Sequence, residues 1–415
     1  MNLTKQSKIL IDFIIKNKCI HPIQPSTKTT SILKKFFSEL ETAENYLEHK
    51  KSVVRDHFYT FTIKKISHVQ HIKKPSQFNA NSFPEDVRKC IDERSEFDLC
   101  YTFSLFEQEV IVHFIVEDQD AELHIDKYNV YIERIFLWLH FIRDYSSRAC
   151  ARHLTLFFYF TSLEKTLPAS NIHIIGEHHV NTGFTYTCPA VSEIVIYRNE
   201  EWFKVFLHET FHNFGLDFSD MNTEQCNKRI LSVFPVDSDI NLFEAYTEFW
   251  AETLNAIFCS YFSSNNLDEY IENCYIMLSF ERSYGFFQLV KTLQFMGLTY
   301  KDLYSPSSDI LRKTLYKEGS NVLSYYVLKT ILFSNFNSFL TWSQKNNLSL
   351  LQFKKTTGNL DQFCKFIEKS YKTKATLEGI KCMEELFSET KMLSKKSKIK
   401  NFIWTNMRMT VCEMA

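Results

Sequence analysis

Hydrophobic positions along the chain change period several times, and each change predicts an element. Residues 98–116 (DLCYTFSLFEQEVIVHFIV) are rich in aromatic and β-branched side chains and read as two strands joined near Glu107-Gln108. Residues 126–145 (DKYNVYIERIFLWLHFIRDY) carry a long helical pattern, and strand signals return at 154–160 and 193–198. Residues 200–214 (EEWFKVFLHETFHNF) lack Gly and Pro, and Gly215 follows as a helix stop. On a helical wheel Trp202, Phe203, Val205, Phe206, Leu207, Phe211 and Phe214 cover most of the circumference, so this helix belongs in a core. Its polar gap holds Glu201, His208 and His212. A second helical pattern begins at Asn241, with Glu244, Glu248 and Glu252 on one face and Leu242, Phe243, Tyr246, Phe249, Trp250 and Leu254 over much of the rest. Beyond Glu252 the pattern is almost wholly helical, notably over 270–296 and 321–333.

This order predicts an α+β protein: helices and polar loops over 1–90, punctuated by Pro22, Pro25, Pro75 and Pro84; a mixed α/β lobe over 91–215; a helical lobe over 216–390; and a basic tail over 391–415.

The polar gap of the 200–214 helix carries the chemistry. His208-Glu209-Thr210-Phe211-His212 is a His-Glu-x-x-His sequence. Two imidazoles four residues apart project from one helix face about one turn apart and can hold two positions of a tetrahedral zinc ion. Glu209, rotated by about 100° from His208, can act as a general base without ligating the metal. The reaction this predicts is metal-assisted hydrolysis, most often of a peptide bond. The competing reading is a pair of core histidines satisfied by carboxylates or backbone.

A third ligand has to come from elsewhere, and Glu244 is the candidate. The stripe Glu244, Glu248, Glu252 also fits an ordinary solvated helix face. Taken together, the His-Glu-x-x-His helix and Phe243-Glu244-Ala245-Tyr246-Thr247-Glu248-Phe249-Trp250-Ala251 resemble the gluzincin group of zinc metallopeptidases, over about residues 190–260. Phe243 stands where that group usually has Asn. The resemblance implies a zincin-like fold with a mixed-sheet upper lobe and a mainly helical lower lobe. It further implies one zinc ion held by His208, His212 and Glu244, with Glu209 as base and Glu248 orienting a ligand imidazole. An edge strand beside the cleft would pair with an extended peptide, with 191–198 or 182–187 as candidates. A lower-lobe hydroxyl would steady the oxyanion, with Tyr284, Tyr325 and Tyr326 in the right part of the chain.

Two other metal arrangements fail on register. Gly215 suits the His-Glu-x-x-His-x-x-Gly-x-x-His pattern, but its last position is Phe218. The sequence His173-Ile174-Ile175-Gly176-Glu177-His178-His179 is one residue too long for the inverted motif and precedes a turn-like Val180-Asn181-Thr182-Gly183. It reads as a loop cluster.

Composition bounds the remaining functions. A net charge of −1 gives no support for a nucleic-acid surface. The locally basic run at 391–400 reads as a solvated tail. Eleven cysteines without Cys-x-x-Cys spacing fit reduced thiols in an intracellular, cytoplasmic protein. The opening MNLTKQSKILIDFIIKNK, interrupted by Asp12, reads as an amphipathic helix rather than a signal peptide, and no apolar run is long enough to span a membrane. The 39 Phe against 8 Gly suggest A/T-rich coding, as in large DNA viruses or some protists. A peptide or protein is the expected substrate. A catalytically inactive zincin-fold scaffold, in a virion for example, would need the ligands but not Glu209.

Overall fold

The computed structural model describes residues 3–53, 58–390 and 398–415. Much of the basic run, residues 391–397, lies outside them, as do the side chains of 398–400. In chain order the elements are α1 (Lys5–Lys16), α2 (Thr27–Val53), β1 (Thr60–Lys65), α3 (Glu85–Arg94), β2 (Phe97–Leu105), β3 (Gln108–Val116), α4 (Ile125–Ile142), β4 (His153–Phe160), α5 (Glu177–Val180), β5 (Gly183–Thr185) and β6 (Val191–Ile196). There follow α6 (Trp202–Asn213), α7 (Glu224–Val233), α8 (Leu242–Tyr261), α9 (Leu267–Met296) and α10 (Asp309–Leu315). After a π-helical turn (Leu323–Leu328) come α11 (Lys329–Ser334), α12 (Phe336–Asn346), α13 (Thr357–Ser370), α14 (Lys374–Thr390) and α15 (Lys398–Thr405). The chain is mixed α and β, as its patterning predicts. Among the described residues, no helix is long and apolar enough to cross a membrane.

The elements divide into two units. A sheet unit comprises Lys35–Glu164 and Thr182–Leu216; a helical unit comprises Met1–Lys34, Lys165–Asn181 and Asp217–Ala415. The units are interleaved along the chain.

In the sheet unit the described strands form one mixed sheet in the order β1-β2-β3-β4-β6-β5. The β2–β3 hairpin turns at Phe106-Glu107; α4 then carries the chain across so that β4 lies parallel to β3, and β6 is parallel to β4. Strand alternation sends successive side chains to opposite faces. Phe114, Phe158 and Phe160 face α4 and α6, where Phe158 meets the rings of Trp202 and Phe206 at 5.4 and 5.8 Å. Ile115, Phe157, Tyr159, Val195 and Tyr197 face the other way and pack with Val87 and Ile91 of α3. Both faces are covered, which is why β3 and β4 read as nearly continuous apolar runs. The short β1, a Thr-Phe-Thr-Ile alternation, was not anticipated in the polar region 1–90; it forms the mostly exposed edge beside β2.

Two features of this unit depart from simple expectation. Cys150 and Cys188 are joined by a disulfide. They sit 38 residues apart in loops that enter β4 and β6, and the parallel pairing of those neighbours brings the loops together; Ala151 N–H donates to Pro189 O at 2.7 Å. Wide sequence spacing therefore did not mean single thiols, and the inference of a reducing compartment loses that premise. His113 on β3 is also buried, against the Asp98 carboxylate at 3.0 Å and stacked on Phe157. Burial opposes its charge, but the Asp98 partner outweighs burial and lifts it to about 9. The raised value makes the stabilisation fully present below the ordinary value of 6.5 and lost as pH rises through about 9. The loss is at most about 3 kcal/mol. Denaturation midpoints should fall across that window in the native chain and stay flat in His113→Gln; equal slopes would reject the assignment.

The helical unit is organised around the 30-residue α9, against which α8, α11 and α14 pack. Its most unusual part is the closing stretch, which runs through the interior. Met407, Met409, Val411 and Cys412 are buried. Tyr284 Oη donates to Asn406 Oδ1 at 2.7 Å, and Tyr326 Oη donates to Met407 O at 2.7 Å. The buried Glu281 carboxylate accepts from Val411 N–H and Cys412 N–H at 3.1 and 2.9 Å. Buried backbone polar groups of this segment need partners, and side chains of α9 and of the π-helical turn supply several of them. Residues 406–412 are thus core.

Candidate metal centre

Helix α6 is buried along its whole length, as its wheel predicts. Trp138 of α4 donates its indole N–H to Thr210 Oγ1 at 2.9 Å and stacks on Phe211, which fixes the helix against α4. Gly215 ends it by taking φ +64°, a region that glycine enters without a Cβ penalty. Gly215 N–H then donates to His212 O at 3.0 Å and Leu216 N–H to Phe211 O at 2.9 Å, the double bond pattern of a Schellman stop. Asn213 closes the same end by donating to Thr185 Oγ1 at 2.8 Å and to Ser192 Oγ, tying the helix to β5 and β6. Sequence reading passed over Asn213, although an amide directly after the motif was the available signal.

On this frame His208, Glu209 and His212 are 6%, 6% and 9% exposed, and the Nε2 atoms of the two histidines lie 3.1 Å apart. That separation is close to the ~3.3 Å edge of a tetrahedron whose centre is about 2.0–2.1 Å from each nitrogen, the usual zinc–imidazole distance. Glu209 lies against β5: a Cβ at Gly183 would come within 3.1 Å of Glu209 Oε1 and 2.8 Å of Val195 O. Only glycine lets the strand pass so close. The edge strand is thus 183–185, while 191–196 is paired on both sides and lies inside the sheet. Of the two candidate edges, 182–187 therefore contains the edge strand and 191–198 does not.

Glu244 occupies the first turn of α8. Its carboxylate Oε2 accepts from Tyr325 Oη at 3.0 Å. The π-helical turn that carries Tyr325 is anchored to the start of α8: Ser324 Oγ donates to Asn241 O at 2.9 Å, and Asn241 Nδ2 donates to Asn321 Oδ1 at 2.9 Å. Such turns recur at functional sites because they re-aim one side chain. Here the turn sends Tyr325 to Glu244, while the adjacent Tyr326, like Tyr284, spends its hydroxyl on residues 406–407. Of the three tyrosines, Tyr325 bonds the candidate ligand through its hydroxyl.

The glutamate stripe is not a solvated face. Glu248 is 1% exposed, and Glu252 is fully buried in an ion pair with Lys329 Nζ at 2.8 Å. Phe218, at the third position of the rival pattern, packs 4.3 Å from the ring of Phe353. His179 is turned inward on its own short helix, accepting from Gly176 N–H at 3.1 Å.

One ligand atom each from His208, His212 and Glu244 lie within 4.8 Å of one another, and the group as a whole is buried. Glu244 is its most open member. Two imidazole nitrogens and one carboxylate oxygen are a donor set that suits zinc, so the group could hold a metal ion. Compared with known proteins, the chain matches no protein family, no curated protein and no solved structure.

Proposed function

We propose that this protein is a zinc-dependent peptidase with a zincin-like arrangement of its sheet and helices. The observation that carries the proposal is the convergence of His208, His212 and Glu244. His208, His212 and Glu244 would hold the ion. A zinc ion held there supplies a Lewis acid that lowers the pKa of a bound water to about 7. Glu209 takes the proton of the attacking water and passes it to the leaving amine. Its place against β5 supports that role, because an extended peptide added to the short edge strand would run directly past its carboxylate. Tyr325 is proposed to donate to a developing oxyanion, a reading supported by the bond of its hydroxyl to Glu244. Glu248, buried one turn beyond Glu244, is proposed to orient a ligand imidazole. An intact Glu209 favours catalysis over a scaffold role, since metal retention alone requires no base.

Metal analysis together with peptide hydrolysis tests the proposal. The purified chain should carry close to one zinc ion per molecule and cleave members of a mixed peptide library. A chelator should abolish cleavage, and added zinc should restore it. A chain that binds no metal, or cleaves equally well without it, would refute the reading.

A further inference from the structure

We propose that Cys19 and Cys382 form a second disulfide, which clasps the loop after α1 onto α14. Their sulfurs lie 2.7 Å apart. Unbonded carbon-sized atoms rest at about 3.5–4.0 Å, while a disulfide bond is about 2.05 Å long. Less than an ångström of movement separates the pair from a bond.

Both sides of the pair are held in place. The loop after α1 is fixed to α9 by His21 N–H donating to Ser283 Oγ at 2.8 Å and Ile23 N–H to Ser279 Oγ at 2.9 Å. The His21 ring meets Phe286 edge-on at 5.4 Å. On the other side, Phe387 of α14 packs on Phe287 of α9 at 5.4 Å. The same helix α9 therefore supports both cysteines, and neither sulfur can drift away without breaking these contacts. Such confinement gives an intramolecular disulfide a high effective concentration over any mixed one.

Access is one-sided. Cys19 is buried, while Cys382 is partly open. A small disulfide of the glutathione class reaches Cys382 first and forms a mixed disulfide, releasing one thiol. Cys19 sulfur then attacks Cys382 sulfur and expels the second thiol. The two cysteine protons leave with the two released thiols, and the small disulfide takes up the two electrons. Burial above all, then Cys382 and the nearby Glu385 and Glu389, raises the pKa of the Cys19 thiol, which fits a structural clasp rather than a nucleophilic centre.

The test is differential alkylation of the full chain after incubation with oxidised glutathione, followed by non-reducing peptide mapping. A peptide linking Cys19 to Cys382 should dominate, alongside the Cys150–Cys188 link, and disappear on reduction. Oxidation should also raise the melting midpoint by several degrees more in the native chain than in Cys382→Ser or Cys19→Ala. Recovery of Cys19 or Cys382 as the alkylated thiol, or of Cys19 linked elsewhere, would overturn the proposal. Because the mapping uses the native chain, the result stands even where a variant fails to fold.

Discussion

Glu209→Gln should retain zinc at the native stoichiometry while peptide hydrolysis falls on the order of 10²–10⁴-fold. Glutamine keeps the volume of the side chain and its neighbours on β5, but cannot accept the proton of water. Because Glu209 lies beside the ligand group without being one of the three clustered residues, metal content should be unchanged. Stoichiometry by elemental analysis and initial rates on one cleaved peptide separate the two effects. Full activity in this variant would remove Glu209 as the base while leaving the metal site intact.

Glu244→Ala should act in the opposite way, losing the ion itself. Removing a residue that merely orients a ligand weakens metal affinity by roughly 10–100-fold, and loss of one of three ligands should exceed that. Competition against a chromophoric chelator measures it. Glu252 on the same stripe provides the contrast with a caution attached. Its removal strands the Lys329 ammonium in the interior, at a cost of about 3–5 kcal/mol. Glu252→Ala is thus expected to unfold more easily yet bind zinc normally in its folded fraction. Equal zinc affinity in folded Glu244→Ala and Glu252→Ala would reject Glu244 as ligand.

The elements that position the histidines were legible because they are local. The β2–β3 hairpin, α4, β4, β6 and α6 each advertise themselves by period and by flanking glycine or polar residues. Spacing alone leaves Glu244, Glu248 and Glu252 equivalent; it was the likeness of residues 243–251 to the gluzincin helix that singled out Glu244 as the candidate ligand. What stayed hidden depends on distant pairing. Nothing near Tyr325 distinguishes it from Tyr326, because the choice is made by a π-helical turn and by two asparagines at 241 and 321. The Cys150–Cys188 bond follows from strand order, and the buried course of residues 406–412 follows from donors on α8, α9 and the π-helical turn. The choice between 182–187 and 191–198 as edge strand also stayed open, because a three-residue strand carries too few positions to show an alternation.

The interleaving of the two units sets an order of assembly during synthesis. Every residue of the sheet unit has been made once residue 216 is added, so both histidines and Glu209 can settle on their helix early. The helical unit cannot finish until residues 406–413 emerge to satisfy Glu281, Tyr284 and Tyr326. Nascent chains stalled before that stretch would hold an orderly pair of imidazoles but lack the finished environment of Glu244, and would gain full zinc affinity only on completion.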